Sequence, residues 1–352
     1  MKRFLTQCIS LGLCGGLLLL SLSGCGTKPT ETDTNTPPEN APPIEQTLTP
    51  ITLNEVAHSI FYAPLYVAIE EGYFEAEGID LTLVTGFGAD KTMTALLSGD
   101  AQIGFMGPET TVYAANEGAS DMVINFAQLT QRAGNFVVAR DPMPDFTWED
   151  LSGKDVLGGR AGGMPQMVFE YVLKQKGLDP ATDLNIDQSI DFGSTAAAFS
   201  GGQGDFSIEF EPSATALETE GAGYVVASVG VESGYVPYTA FSAKESYLQA
   251  NPELVQSFTN ALQKGLNYVN THSADDIATI IAPQFPDTDV ATISTIVDRY
   301  AAQDTWKENL IFEETSFNLL LDILDSADQL SKKPTYANLV DITYADTAQS
   351  YK

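Results

Sequence analysis

Histidine and thiol chemistry are almost missing from this chain. Its 352 residues hold two histidines and three cysteines, and 17 Lys+Arg face 47 Asp+Glu. His58 and His272 are far apart, and no His/Cys cluster has metal-ligand spacing. G-x-S-x-G, Walker and dinucleotide fingerprints are absent as well. The net charge of −30 repels nucleic acid and anionic headgroups. It argues only weakly against an anionic ligand, because salt screens that field beyond about 10 Å. The one long apolar run, at the N-terminus, is shorter than the ~20 residues that cross a bilayer.

That run has a definite pattern. Lys2 and Arg3 open it, Leu17–Leu20 form its centre, and Leu22-Ser23-Gly24-Cys25 closes it. It resembles a secretory signal ending in a lipobox. The resemblance implies a signal peptide over 1–24, a diacylglycerol on Cys25, and a mature protein that begins there. A transmembrane anchor or an unmodified signal peptide are the competing readings. Cys8 and Cys14 would leave with the signal, so no disulfide is expected. Lys2 and Arg3 would leave too, giving 15 − 47 = −32. Residues 27–50 are rich in Thr, Pro, Glu and Asn and read, with Cys25, as a disordered tether.

From residue 51 short β runs alternate with amphipathic helices. Strands are expected at Ile51–Val56, Ile79–Val84, Gln102–Phe105, Met122–Ala127, Asn135–Ala139, Asp155–Gly158, Leu184–Ile186, Phe206–Phe210 and Tyr224–Val229. Pro64, Pro108 and Pro165 open helices, Asp90 is expected to cap one, and from Pro252 the chain reads as nearly all helix. This rhythm predicts parallel sheets covered by helices. Gly99-Asp100-Ala101-Gln102-Ile103-Gly104-Phe105, leading to Pro108, is echoed by Gly204-Asp205-Phe206-Ser207-Ile208-Glu209-Phe210, leading to Pro212. Two similar α/β lobes are one explanation, and chance similarity of two βα units is the other.

In open α/β sheets a ligand sits beyond the carboxyl ends of the strands. The loops there hold Ser59, Phe61 and Tyr62, then Phe87, then Gly107, Pro108 and Glu109, then Gly163 and Met164, then Glu209 and Glu211. Helix N-termini offer free N–H groups to a ligand oxygen. Phe61, Tyr62 and Phe87 can stack on a flat ring, or pack in the core. Glu109 and Glu211 can accept from N–H groups or pair with a cation, or simply favour a first helical turn. Arg132 lies where the chain passes between lobes, facing either a ligand anion or an interface acid. Gly158-Gly159 and Gly162-Gly163 suggest a phosphate loop but lack the Lys-Ser/Thr that follows one. His58, near the end of the first strand, has a better claim on a site than His272, which is expected at a helix end.

A family resemblance rests on Ala63-Pro64-Leu65-Tyr66-Val67-Ala68, Gly72-Tyr73-Phe74, Glu77-Gly78-Ile79-Asp80, Gly99–Gly104, Leu151-Ser152-Gly153-Lys154 and Phe210-Glu211-Pro212. Over about 51–340 the chain resembles the solute-binding proteins of ABC importers for nitrate, sulfonates, taurine and thiamine-pyrimidine precursors. The resemblance implies a two-lobed type II periplasmic-binding-protein fold, α/β, each lobe a mostly parallel sheet flanked by helices. Lobe one would be 51–135 plus 242–345 and lobe two 136–241, with crossovers near Gln131–Asn135 and Tyr238–Ser242. It implies a monomer, lipid-anchored outside the cell, that takes a small-molecule ligand to permease and ATPase subunits, with no cofactor, catalysis or nucleic acid. An acid at Glu109 fits a heteroaromatic or amine-bearing ligand better than a sulfonate or nitrate. A pyrimidine-synthase-like enzyme would need a cleft lysine and histidines, for which only Lys91 and His58 are near. A sensor subunit is a third role.

Overall fold

The computed structural model describes residues 47–159, 161–190 and 192–351. The signal, Cys25 and most of the tether lie outside the described residues. Ten strands form two five-stranded sheets. The first has the order β2-β1-β3-β10-β4, built from β1 (Thr49–Glu55), β2 (Ile79–Thr85), β3 (Ile103–Met106), β4 (Val123–Thr130) and β10 (Thr239–Lys244). The second has the order β7-β6-β8-β5-β9, from β5 (Phe136–Ala139), β6 (Asp155–Leu157), β7 (Asn185–Asp187), β8 (Phe206–Glu209) and β9 (Tyr224–Ser228). In each sheet one strand opposes the rest. β10 runs antiparallel to β3 and β4, and β5 antiparallel to β8 and β9. The α/β class and the two mostly parallel sheets flanked by helices are therefore as expected.

The nine strands expected from the sequence are present with shifted ends. β10 was not among them. Thr239–Lys244, expected in part as a crossover, is a buried strand between β3 and β4. Its small residues, Thr-Ala-Phe-Ser-Ala-Lys, carry little of the alternation that marks a half-exposed strand. β2, on an open edge, does alternate. β4 is buried along its whole length because residues 305–310 and Val340 cover its outer edge.

Three helix starts also differ. Gly88, not Asp90, is the N-cap of Ala89–Ser98, and Asp90 sits in the first turn. The helix from Pro64 stops at Glu70, and left-handed Gly72 starts a separate turn that carries Phe74. Pro108 and Pro212 occupy the N-cap of Glu109–Asn116 and Ser213–Thr219 rather than their first position.

The helix Pro252–Thr271 presents Val255, Phe258, Leu262, Leu266 and Val269 at helical spacing to the first sheet. Phe258 meets Phe241, Phe126 and Phe74, and Phe241 stacks on Phe105 at 4.1 Å. Gly265 lets this helix touch Ala63–Glu70, since a Cβ there would lie 2.2 Å from the Pro64 carbonyl oxygen. Val290–Ala302 packs on Ala274–Ile281 and on the turn Ile60–Tyr62, among the helices of the first sheet.

Candidate functional site

The chain passes between the sheets at 131–135 and again at 229–238. Around these passages lies an aromatic cluster. Phe61 contacts Tyr62, Phe210, Tyr238 and Tyr300, with ring centroids 5.1 to 6.1 Å apart. Trp306 donates its indole N–H to the Phe61 carbonyl at 2.9 Å. Gly134 fits beneath, since a Cβ there would stand 2.7 Å from Phe61 and 2.8 Å from Phe210. Tyr62 packs on Phe105 at 4.5 Å, and burial pushes its hydroxyl, bonded to Thr239, far up from the usual range.

Beside this cluster three polar side chains converge. Glu109 is 2% exposed, folds back over Gly107, and faces the backbone of Met164 from the second sheet's side. Its Oε2 has no hydrogen-bond partner among the described residues, and burial pushes the carboxyl up to about 8. Asn135, fully buried on the first passage, donates to the Pro165 carbonyl at 3.4 Å, while its Oδ1 is unpartnered. Tyr238, on the second passage, has a buried hydroxyl with no partner, and the nearby Glu109 and Tyr62 help raise its pKa. Buried polar atoms are nearly always paired, and of five exceptions among the described residues, the others being Gln128 Oε1 and Arg132 Nε, these three mark a candidate site for an outside group. An acid held neutral both donates and accepts, Asn135 Oδ1 accepts, and the phenol does either. Together they suit a neutral or N–H-bearing ligand edge.

The other expected residues divide. Ser59 caps Ile60–Tyr62 and donates to the Glu211 carbonyl at 3.2 Å. Glu211, 2% exposed, is bound by Arg299 and by the Thr215 N–H and hydroxyl at 2.9 and 3.0 Å. Its carboxylate is thus fully committed inside the protein. Glu209 accepts from Ser207 and, at 3.1 Å, from Thr195, and burial pushes it up to about 7. Gly163 is the N-cap of Met164–Gln175, where Met164 meets Glu109. Pro108 heads the Glu109 helix.

Two residues stand apart from the convergence. Arg132 donates to the Gly230 and Val231 carbonyls at 3.2 and 3.3 Å and lies 4.5 Å over Tyr235. It ties one passage to the other and pairs with no acid among the described residues. Phe87 is 75% exposed on a left-handed backbone, φ 55°, beyond the outer strand β2. The outer strand leaves its ring no neighbouring layer to enter.

His58 is claimed by structure too. Its Nδ1 binds Glu55 at 2.8 Å, its Nε2 the Gln284 carbonyl at 2.9 Å, and its ring lies against Tyr66 and Phe285. Both partners are acceptors, which favours the protonated ring, and the Glu55 bond raises its pKa. His272 caps the helix Pro252–Thr271, as expected. Among the described residues no group of three or more His, Cys, Asp or Glu can hold a metal ion, and no helix is long and apolar enough to cross a membrane.

Sequence reasoning missed Asn135, Tyr238, Arg299, Tyr300 and Trp306. Asn135 and Tyr238 flank the two passages, and that position was the available signal. Arg299 and Tyr300 had none, being ordinary members of an amphipathic helix.

The chain is similar to known proteins. The sequence profile described as NMT1/THI5 like matches residues 60–275. The chain belongs to the NMT1/THI5-like family. Within reach of that family, "Putative binding protein YtlA" of Bacillus subtilis (strain 168) is 46% identical over 308 residues, 88% of this chain and 92% of the relative. Riboflavin-binding protein RibY of Chloroflexus aurantiacus is 26% identical over 281 residues, 77% of each. Among solved structures, the alkanesulfonate-binding protein SsuA of Xanthomonas axonopodis pv. citri, bound to MOPS, has the same fold. Its TM-score is 0.68 at 18% identity, over 84% of this chain and 98% of that one.

Proposed function

We propose that this NMT1/THI5-like chain is a non-catalytic solute-binding protein of the ABC-import type, working outside the cell from a lipid on Cys25. It captures one small metabolite between two lobes, 51–135 plus 242–345 and 136–241, and delivers it to a permease with its ATPase. The ligand is a heteroaromatic or amine-bearing compound.

The carrying observation is the convergence of Glu109 Oε2, Asn135 Oδ1 and the Tyr238 hydroxyl, buried between the two sheets and without partners among the described residues. Each can accept an N–H, and the Phe61, Tyr62 and Phe210 rings nearby suit a flat molecule. An oxyanion would meet the Glu109 carboxyl unfavourably at any pH where that group ionises. The names of two relatives, a binding protein and a riboflavin-binding protein, support capture rather than turnover. The exposure of Lys91 on Ala89–Ser98 and the bonds of His58 to Glu55 and Gln284 support the non-catalytic reading.

A thermal-unfolding panel of riboflavin, aminopyrimidines, polyamines, alkanesulfonates and nitrate tests this. A ligand that binds only the folded state at 100 times its Kd adds about 2.7 kcal/mol and raises Tm. A rise with an N–H-bearing compound, reduced at least tenfold in affinity by Glu109→Ala, is expected. A rise with sulfonate or nitrate alone overturns the ligand class.

A further inference from the structure

Glu211 belongs to the second sheet, at the end of β8, yet most of what holds it comes from the first. Its backbone N–H donates to the Tyr300 hydroxyl at 3.3 Å, and its carbonyl accepts from Ser59 Oγ at 3.2 Å. Its carboxylate is bound by Arg299. Arg299 reaches on to Glu218 at 2.6 Å and Thr215 at 3.2 Å, both on the second sheet's helix Ser213–Thr219. Tyr300 then donates its hydroxyl to the Gly134 carbonyl at 3.0 Å, on the first passage. Ser59 follows β1, and Arg299 and Tyr300 are adjacent on a helix packed against the turn Ile60–Tyr62. Three groups from the first sheet thus grip one residue of the second, and none of the three reaches Glu109 Oε2.

We propose that Glu211 is a positioning residue, the second sheet's half of a latch closed by Ser59, Arg299 and Tyr300, which sets how readily the two sheets part. The inference rests on the two-lobed capture reading. It assigns Ser59 and Glu211 to closure rather than to ligand contact. A latch on one residue is cooperative. Releasing the Tyr300 hydroxyl frees the Glu211 N–H and the Gly134 carbonyl together, and a loosened loop misaligns Arg299 and Ser59 in turn. A two-pronged guanidinium contact on paired carboxylates gives the latch its geometric selectivity.

Amide hydrogen exchange on the full-length, ligand-free protein tests it. Tyr300→Phe removes one oxygen and leaves the ring. Exchange is expected to quicken at least tenfold in 57–66, 131–136 and 207–216 together, with 165–174 and 255–268 unchanged. Arg299→Lys, which keeps the charge but not the two-pronged contact, quickens the same three segments less. Acceleration confined to 207–216, spread over the whole chain, or absent overturns the latch. Because no ligand is present, loss of the latch leaves capture standing. A wild type that binds no solute, with the three segments still coupled, removes capture and leaves the coupling.

Discussion

Glu109 and Glu211 look alike and do opposite things. Each follows a buried strand of the internal echo, each adjoins a proline at a helix N-cap, and each is 2% exposed. Glu211 has a cation, a hydroxyl and an N–H on its carboxylate. Glu109 has no ion pair among the described residues, and its Oε2 has no hydrogen-bond partner among them. Burial penalises a lone carboxylate, which pushes Glu109 up to about 8, favours the neutral acid and leaves a bonding valence for something from outside. The local motif puts an acid between the sheets. A partner 88 residues further along, Arg299, decides whether that acid holds the protein or is left open.

The comparison breaks most sharply at Arg299. Arg299→Met leaves Glu211 buried opposite a thioether, which for a buried pair costs about 3 to 5 kcal/mol. Chemical denaturation should show that loss as a shifted midpoint with an unchanged slope. Glu109→Gln should show nothing of the kind at pH 7, since it removes no ion pair. A large loss at Glu109 with none at Arg299 would reverse the two roles.

A second difference appears on titration. The Glu109 carboxyl rises from an ordinary 4.5 to about 8, so between those values the folded state binds a proton that the unfolded state has lost. The stabilisation is complete below about pH 4.5 and vanishes as pH rises through about 8. It amounts to the order of a few kcal/mol. Unfolding free energies from pH 5 to 9 should fall more steeply in wild type than in Glu109→Gln. Parallel curves would mean that Glu109 ionises freely in the folded protein.

The loop positions of these two acids were legible in the sequence, and the partners of each were not. Strand-end loops are local and could be read from apolar runs, turn residues and prolines, which is why Ser59, Phe61, Glu109, Met164 and Glu211 were all placed between the sheets. What each then touches depends on chain far away. Nothing in Val290–Ala302 marks Arg299 and Tyr300 as partners of Glu211, because an amphipathic helix shows which face is buried and not against what. Phe87 shows a different limit: its loop is legible, but its exposure follows from β2 being an edge strand, and edge position depends on strand order. β10 escaped because five buried residues in a row erase the period-two signal.

Glu55 offers a third case within the first sheet. It is fully buried, like Glu211, and takes hydrogen bonds from Thr85, Tyr66 and His58, each at 2.8 Å. Its cation is titratable. The His58 pKa lies above 6.5, so its contribution is complete below pH 6.5 and is lost as pH rises through the folded value. With part of the ring exposed, His58→Gln should cost about 1 kcal/mol at pH 6 and less at pH 9. Thermal melts at the two pH values read this directly. An equal cost at both would leave His58 a packing residue only.

The smallest effect belongs to the hydroxyl nearest the latch. Thr215 is 7% exposed, and its Oγ1 donates to Glu211 at 3.0 Å while accepting from Arg299 at 3.2 Å. Thr215→Val keeps the shape, the β-branch and the backbone N–H that also binds Glu211. The carboxylate then loses one donor of several, and the guanidinium keeps Glu211 and Glu218. About 0.5 to 1.5 kcal/mol is the usual value of such a bond. A cost approaching that of Arg299→Met would mean that the hydroxyl orients the guanidinium, so that the latch depends on geometry more than on charge. A cost near zero would mean that opposite charge alone holds Glu211, and Arg299→Lys should then be nearly silent too.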